Sequence, residues 1–253
     1  MPALPGPGGL WIEASDYLAR LFAGGRWPWT DPTASLALQR KGQGLLRSAV
    51  LGLPLGALVP AWLASQPALG QAMAEKTRLI HPLRTLLADE ALRRLVSEHL
   101  QGLRASFPQA CLALCLPAPG AALVQAWRAV HAGEPAAISE DDIDAAAVRQ
   151  ADFLRGFGDS GVDLLVLEEP PGTPLNLAAV RELYAPLFNL AAHYRWTLAL
   201  LVDQAPAPVP DLRLIGRDGS GDSVHYLPID AQAQPEAVLD QLAVLRQRLG
   251  EPA

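Results

Sequence analysis

Between Pro108 and Pro117 the chain runs Ala110-Cys-Leu-Ala-Leu-Cys-Leu116 without a polar side chain. A short apolar run without polar alternation predicts a strand buried on both faces. Two further runs of that kind are Val162-Asp-Leu-Leu-Val-Leu167 and Trp196-Thr-Leu-Ala-Leu-Leu-Val202. Their expected buried positions include Leu112, Leu114, Leu164, Val166, Leu198 and Leu200. Around them the period changes to that of helices. Asp89 can cap a helix over 90–106, where Leu92, Leu95, Val96, Leu100 and Leu103 fall on one face. A loop at 117–120 leads into an apolar helix ending near His131. Ser139 and three following acids open the next helix, which ends near Gly158. Helices over 177–193 and 235–249 complete the set. Strand, loop and helix in alternation mean βα units with parallel strands.

The first third is less regular. The pattern predicts a helix over 16–23 stopped by Gly24-Gly25, and another over 32–50 capped by Asp31 with Pro32 in its first turn. The apolar window 45–64 is interrupted by Arg47, Gly52, Pro54, Gly56 and Pro60, which suits a buried, kinked element better than a bilayer span. Helical patterns follow over 69–79 and from Pro82. Late in the chain come a short apolar run at 212–215, a Gly-rich turn at 217–221 and a strand over 224–229. About five strands are convincing. The expectation is an α/β fold: a (β/α) TIM-type barrel, complete or trimmed, with extra N-terminal helices. It occupies one domain over 1–253, with 1–68 as a helical lid segment and 69–250 as the βα units.

Composition narrows the function classes. Half of the 253 residues are apolar and 18% are charged, which excludes disorder for the bulk of the chain. A net charge of −6 argues against nucleic-acid binding, which needs clustered positive charge. Two cysteines cannot build a disulfide scaffold, and Met1 to Gly9 carries neither a basic region nor an unbroken apolar one. The expected location is therefore the cytoplasm, with free thiols and no membrane partner.

Three stretches carry a family resemblance. Residues 89–108 followed by Cys111-Leu-Ala-Leu-Cys-Leu-Pro-Ala-Pro-Gly120 resemble the long helix, buried strand and proline loop of the superfamily that holds uroporphyrinogen decarboxylase, cobalamin-independent methionine synthase and the corrinoid methyltransferases. Asp152-Phe-Leu-Arg-Gly-Phe-Gly-Asp-Ser-Gly-Val-Asp-Leu-Leu-Val-Leu-Glu-Glu-Pro170 is similar to that family's helix, strand start, acidic pair and proline. Residues 177–202 resemble the helix and strand that follow. As pattern, the match runs from about Leu69 to Gly250. The zinc-dependent members carry a His-x-Cys pair after this last strand and a late cysteine. Here the strand ends Leu200-Leu-Val-Asp203, and no cysteine follows Cys115. The expectation is no zinc and no cofactor. The resemblance implies a metal-independent, decarboxylase-like lyase acting on a carboxylate-bearing small molecule. The alternatives are a methyltransferase of the methionine synthase or corrinoid branch, and a non-catalytic binding or assembly protein. A homodimer is compatible with all three.

Candidate chemistry sits where strands end, the face on which parallel barrels build their sites. Glu168 and Glu169 close one strand, and adjacent strand residues point oppositely, so one of them faces the mouth. Glu169 is preferred because it matches the family's Glu-Pro, which in the methyltransferase branch holds a substrate amino group. The plainer reading is a solvated loop or a helix cap. Asp203 ends the next strand and could pair with either glutamate for proton transfer, or simply start a loop. Of His225 and Tyr226 one must point inward. Arg26, Trp27 and Trp29 form a lid that binds substrate or, equally, a hydrophobic plug. Cys111 and Cys115 share a strand face and are read as core. His81 and His99 are expected at the surface. The ligand pocket is expected between 117–120, the acidic pair and Asp203.

Overall fold

The computed structural model describes residues 9–206, 212–221 and 224–250. Its strands are β1 (Leu10–Glu13), β2 (Val50–Pro54), β3 (Cys111–Pro117), β4 (Leu164–Glu168), β5 (Thr197–Val202), β6 (Arg213–Gly216) and β7 (His225–Pro228). All pairings between them are parallel. β2 to β6 form one five-stranded sheet in chain order, and β1 pairs with β7. No ladder joins β1 to β2 among the described residues, but the seam is bridged. Ala49 N–H donates to Leu10 O at 2.8 Å, and Ile12 N–H donates to Ser48 Oγ at 2.9 Å. The class is α/β, as the strand and helix alternation predicts.

Helices pack outside the strands: α1 (Ser15–Phe22), α2 (Pro32–Leu46), α3 (Leu55–Ser65), α4 (Pro67–Ala74), α5 (Ile80–Leu87), α6 (Glu90–Ser106), α7 (Pro119–Val130), α8 (Glu140–Leu154), α9 (Leu177–Leu183), α10 (Ala185–Tyr194) and α11 (Pro235–Leu249). Their starts follow from capping chemistry. Asp31 and Asp89 accept from Ala34 and Ala91 N–H, and Ser139 forms a reciprocal capping box with Asp142. No helix among the described residues is long and apolar enough to cross a membrane.

Alternation along the strands separates two cores. Leu112, Leu114 and Leu116 of β3, with Leu165 and Leu167 of β4, face the helices. Cys111, Ala113 and Cys115, with Leu164 and Val166, face the inner side together with Trp11 and Tyr226. Both sides are buried, which is why these strands read as nearly unbroken apolar runs. The small inner residues make room for Trp11. A Cβ at Gly52 would lie 3.3 Å from the Trp11 ring and 3.6 Å from Cys115 Sγ.

Several expectations need correction. Among the described residues there are seven strands rather than about five, and two of them lie in the segment expected to be helical and lid-forming. β1 and β2 are only 4 and 5 residues long, too short for a legible period. The helix expected over 32–50 stops at Leu46, where Arg47 adopts a left-handed φ of 50°, and Val50 begins β2. The helix expected over 177–193 breaks at Tyr184, because Pro186 sits in the first turn of α10. His81 and His99 are buried, not exposed. Their rings hydrogen-bond Ala72 O at 3.1 Å and Trp29 O at 2.8 Å.

At the amino ends of the strands a charged clasp fixes register. Asp163, buried just before β4, accepts Leu112 N–H at 2.9 Å and pairs with Arg104 of α6. Arg104 also donates to Gly161 O and Ala110 O. Gly161 has a φ of 76°, and a Cβ there would lie 2.9 Å from Arg104 Nε, so the turn requires glycine. Asp163→Asn keeps an acceptor for Leu112 but loses the charge. Urea unfolding should show a loss of about 1–2 kcal/mol, and an unchanged midpoint would show that the clasp adds no stability.

Candidate functional site

The carboxyl ends of the strands bring together groups far apart in sequence. Glu168 is the last residue of β4 and continues the inner side of Leu164 and Val166. Glu13, the last residue of β1, continues the inner side of Trp11 by the same alternation. Glu13 was not a candidate in the sequence. The Trp11–Glu13 spacing was the available signal, and it required β1 to be recognised as a strand.

Burial drives the Glu168 carboxyl up from 4.5 to about 7, the neighbouring Glu13 charge pushes the same way, and Arg217 opposes them. Glu13 is itself raised by burial, against the Ser15 N–H that donates to its Oε1 at 2.9 Å. The Cys115 thiol is held well above its ordinary value by burial, then by Glu168 and Glu13. The Tyr226 hydroxyl is raised by burial and by Glu13, Cys115 and Glu168. These mutual influences define one cluster of Glu13, Cys115, Glu168, Arg217 and Tyr226. Trp11 meets Tyr226 edge-on at 5.1 Å beneath it. Room beside Glu168 comes from Gly56, where a Cβ would stand 3.5 Å from Glu168 Oε2.

A rim surrounds the cluster. Arg217, just after β6, donates to Asp203 Oδ1 at 3.2 Å and to Glu169 O at 2.6 Å. Asp203 Oδ2 accepts Gly172 N–H at 2.7 Å, and Ala118 N–H donates to Glu168 O at 3.0 Å. The proline loop, the acidic pair and Asp203 therefore converge as parallel strands require.

Glu169, the favoured candidate, points the other way. It is 7% exposed among the outer helices, and Tyr184 Oη donates to its Oε1 at 2.7 Å. Burial raises its carboxyl while the Tyr184 bond lowers it. Tyr226 is the inward member of its pair. His225 lies on the opposite side of β7 with its ring against Gly219, where a Cβ would fall 2.3 Å from it. Trp27 stacks on Trp29 at 5.1 Å, and its Nε1 donates to Ser35 Oγ at 2.8 Å. Trp29 is 9% exposed in the outer core with its carbonyl held by His99, while Arg26 is exposed. Only Trp27 approaches the cluster, sharing a narrow cleft with Glu13 and Gly52. Cys111 is buried on the inner side, its thiol pushed up to about 12 by desolvation. Among the described residues no group of three His, Cys, Asp or Glu side chains is arranged to hold a metal ion.

No protein-family model matches the chain, and no curated protein matches it either. Among solved structures the chain is similar to a methyltransferase from Methanosarcina mazei. The TM-score is 0.58 at 12% identity, over 99% of this chain and 95% of that one. At such identity the likeness is one of fold.

Proposed function

We propose that the chain is a methyl-transfer enzyme built on a seven-stranded parallel barrel, acting on a small amine-bearing molecule held at the mouth. The observation that carries this reading is the Glu13–Glu168 pair, enclosed at the strand ends with one carboxyl poised near neutrality. A carboxyl with pKa about 7 can both give and take a proton at working pH, as general acid–base catalysis needs. When a methyl group leaves a protonated amine for a thiol, the C–N bond breaks as the C–S bond forms, the amine keeps the bonding pair, and the thiol's proton has to reach that nitrogen. Glu168 is the residue proposed to move that proton. Glu13 faces the ligand's positive charge, Tyr226 and Trp11 form the floor, and Trp27 closes the Glu13 side.

The charge balance favours this over the decarboxylase-like reading. The mouth presents Glu13, Glu168 and Asp203 against one guanidinium, and Arg217 is already engaged by Asp203 and Glu169 O. A carboxylate substrate would meet repulsion there, and an ammonium would meet complementarity. The fold likeness to a methyltransferase supports the same choice. Asp203 and Glu169 hold Arg217 in place, while His225, Trp29 and Arg26 stand outside the proposed contact set.

Calorimetric titration with small methylated amines and with carboxylates of matched size tests the proposal. Amines should bind at pH 8, where Glu168 is ionised, and Glu168→Gln should weaken them there about tenfold or more by removing a charged partner. Mass spectrometry of a protonated methylamine incubated with a thiol as methyl acceptor should register loss of about 14 Da from the amine and the same gain on the thiol, whose proton passes to the nitrogen. Carboxylates binding more tightly than amines would overturn the reading.

A further inference from the structure

A cavity lies on the helix side of the sheet, opposite the face that carries Glu13 and Glu168. It has a volume of about 120 Å³ and sits between α3, α5, α6, α7 and α8, over the carboxyl end of β3. Its walls are almost wholly apolar, with Val59, Leu83, Leu92, Val96, Ala126 and Phe153 among them. Two glutamines break the apolar lining: Gln125 of α7, which is exposed at the edge, and Gln150 of α8, which is 2% exposed. Its Nε2 donates to Pro117 O at 2.8 Å, which fixes the amide, and its Oε1 has no hydrogen-bond partner.

Protein interiors pack at close to crystal density, and voids much larger than one water are few in a domain. A buried acceptor left without a donor is destabilising, because it gives up its hydrogen bond to water and gains none in return. An apolar cavity and an orphaned acceptor in one wall therefore define the chemistry of a molecule that would fit there. Dispersion contacts ask for an apolar body, and Gln150 Oε1 asks for one O–H or N–H. We infer that this cavity binds a small, mainly apolar molecule, about the size of one aromatic ring, through a single hydrogen-bond donor met by Gln150. A cavity of about 150 Å³ lined by such residues is known to take benzene, so a ring of this size fits the scale. Pro117 borders both this cavity and the mouth, but the two sites share no charged residue. The cavity's occupant touches none of Glu13, Glu168 or Arg217.

Phenol and toluene are matched probes that differ in one hydroxyl. Each is titrated into the intact protein and followed by the methyl resonances of Val59 and Val96, which report occupancy at this wall rather than at the mouth. Phenol should bind about tenfold more tightly than toluene, the ordinary worth of satisfying one buried acceptor. In Gln150→Leu that preference should fall to nearly nothing, while Ala126→Phe, which fills the void, should abolish both signals. Phenol binding no more tightly than toluene to the wild-type protein would overturn the role of Gln150. Neither probe shifting the two valines of the wild-type protein would overturn the site, whatever the variants do.

Discussion

Glu168→Gln is expected to make the protein more stable at pH 8 and to leave it nearly unchanged at pH 4. The sign follows from the direction of the carboxyl's shift. Its value rises from 4.5 in the unfolded chain to about 7 in the fold, because burial and Glu13 both disfavour the charge. The folded state therefore holds the proton more tightly, and that advantage is complete below 4.5. It is lost as pH rises through about 7, where the fold must carry a buried anion beside Glu13. A shift of this size corresponds to about 3 kcal/mol at alkaline pH, and an uncharged isostere removes most of it. Chemical denaturation at the two pH values should show a gain of about 2–3 kcal/mol at pH 8 only. A gain in stability combined with a loss of amine binding is the signature of a functional group held at a structural cost. Equal stability of the two proteins at pH 8 would mean that Glu168 is solvated and the mouth is open surface.

The second large effect concerns the inner floor. Trp11 is 2% exposed, packs edge-on against Tyr226 and lies over Gly52. Trp11→Ala should cost about 3–5 kcal/mol, since the surrounding strands cannot close on a void of that size. The loss should fall on the whole domain. β1 is held by four residues, pairs only with β7 among the described strands, and meets β2 through Ser48. Replacing Phe22, which is 44% exposed, by Ala should change stability little and serves as the control. Thermal unfolding that leaves the Trp11 variant within about a degree of the wild type would show that β1 is peripheral, and with it the placing of Glu13.

What the sequence revealed, and what it hid, follows from length and from partners. β3 and β5, 7 and 6 residues long, are buried on both faces at all but one position each, so composition alone marks them. α6, α8 and α11 carry long apolar stripes, and α6 and α8 have capping residues where the pattern places them. β1 and β2 could not be read in this way. Leu-Trp-Ile-Glu and Val-Leu-Gly-Leu-Pro become strands only because β7 and β3 lie alongside to complete them, and no local signal encodes a neighbour. The site inherited that blindness. Glu168 and Asp203 were legible because a strand end was legible, but the choice between Glu168 and Glu169 turned on a one-residue phase. Matching the family's Glu-Pro favoured Glu169, while the alternation of Leu164, Val166 and Glu168 puts the free carboxyl on the inner side. Arg217 looked like part of a Gly-rich turn, and its hold on Asp203 and Glu169 O exists only once β5 and β6 are parallel neighbours.

The central claim is that one carboxyl at the strand ends holds a proton near neutral pH. Carbon-13 detection of glutamate side-chain carboxyls reads this directly, with Glu168→Gln supplying the assignment by the resonance that disappears. That resonance should titrate with a midpoint of about 7, and the midpoint should fall in Glu13→Gln, where the neighbouring charge is gone. A midpoint near 4.5 for Glu168, unmoved by the change at Glu13, would contradict the account.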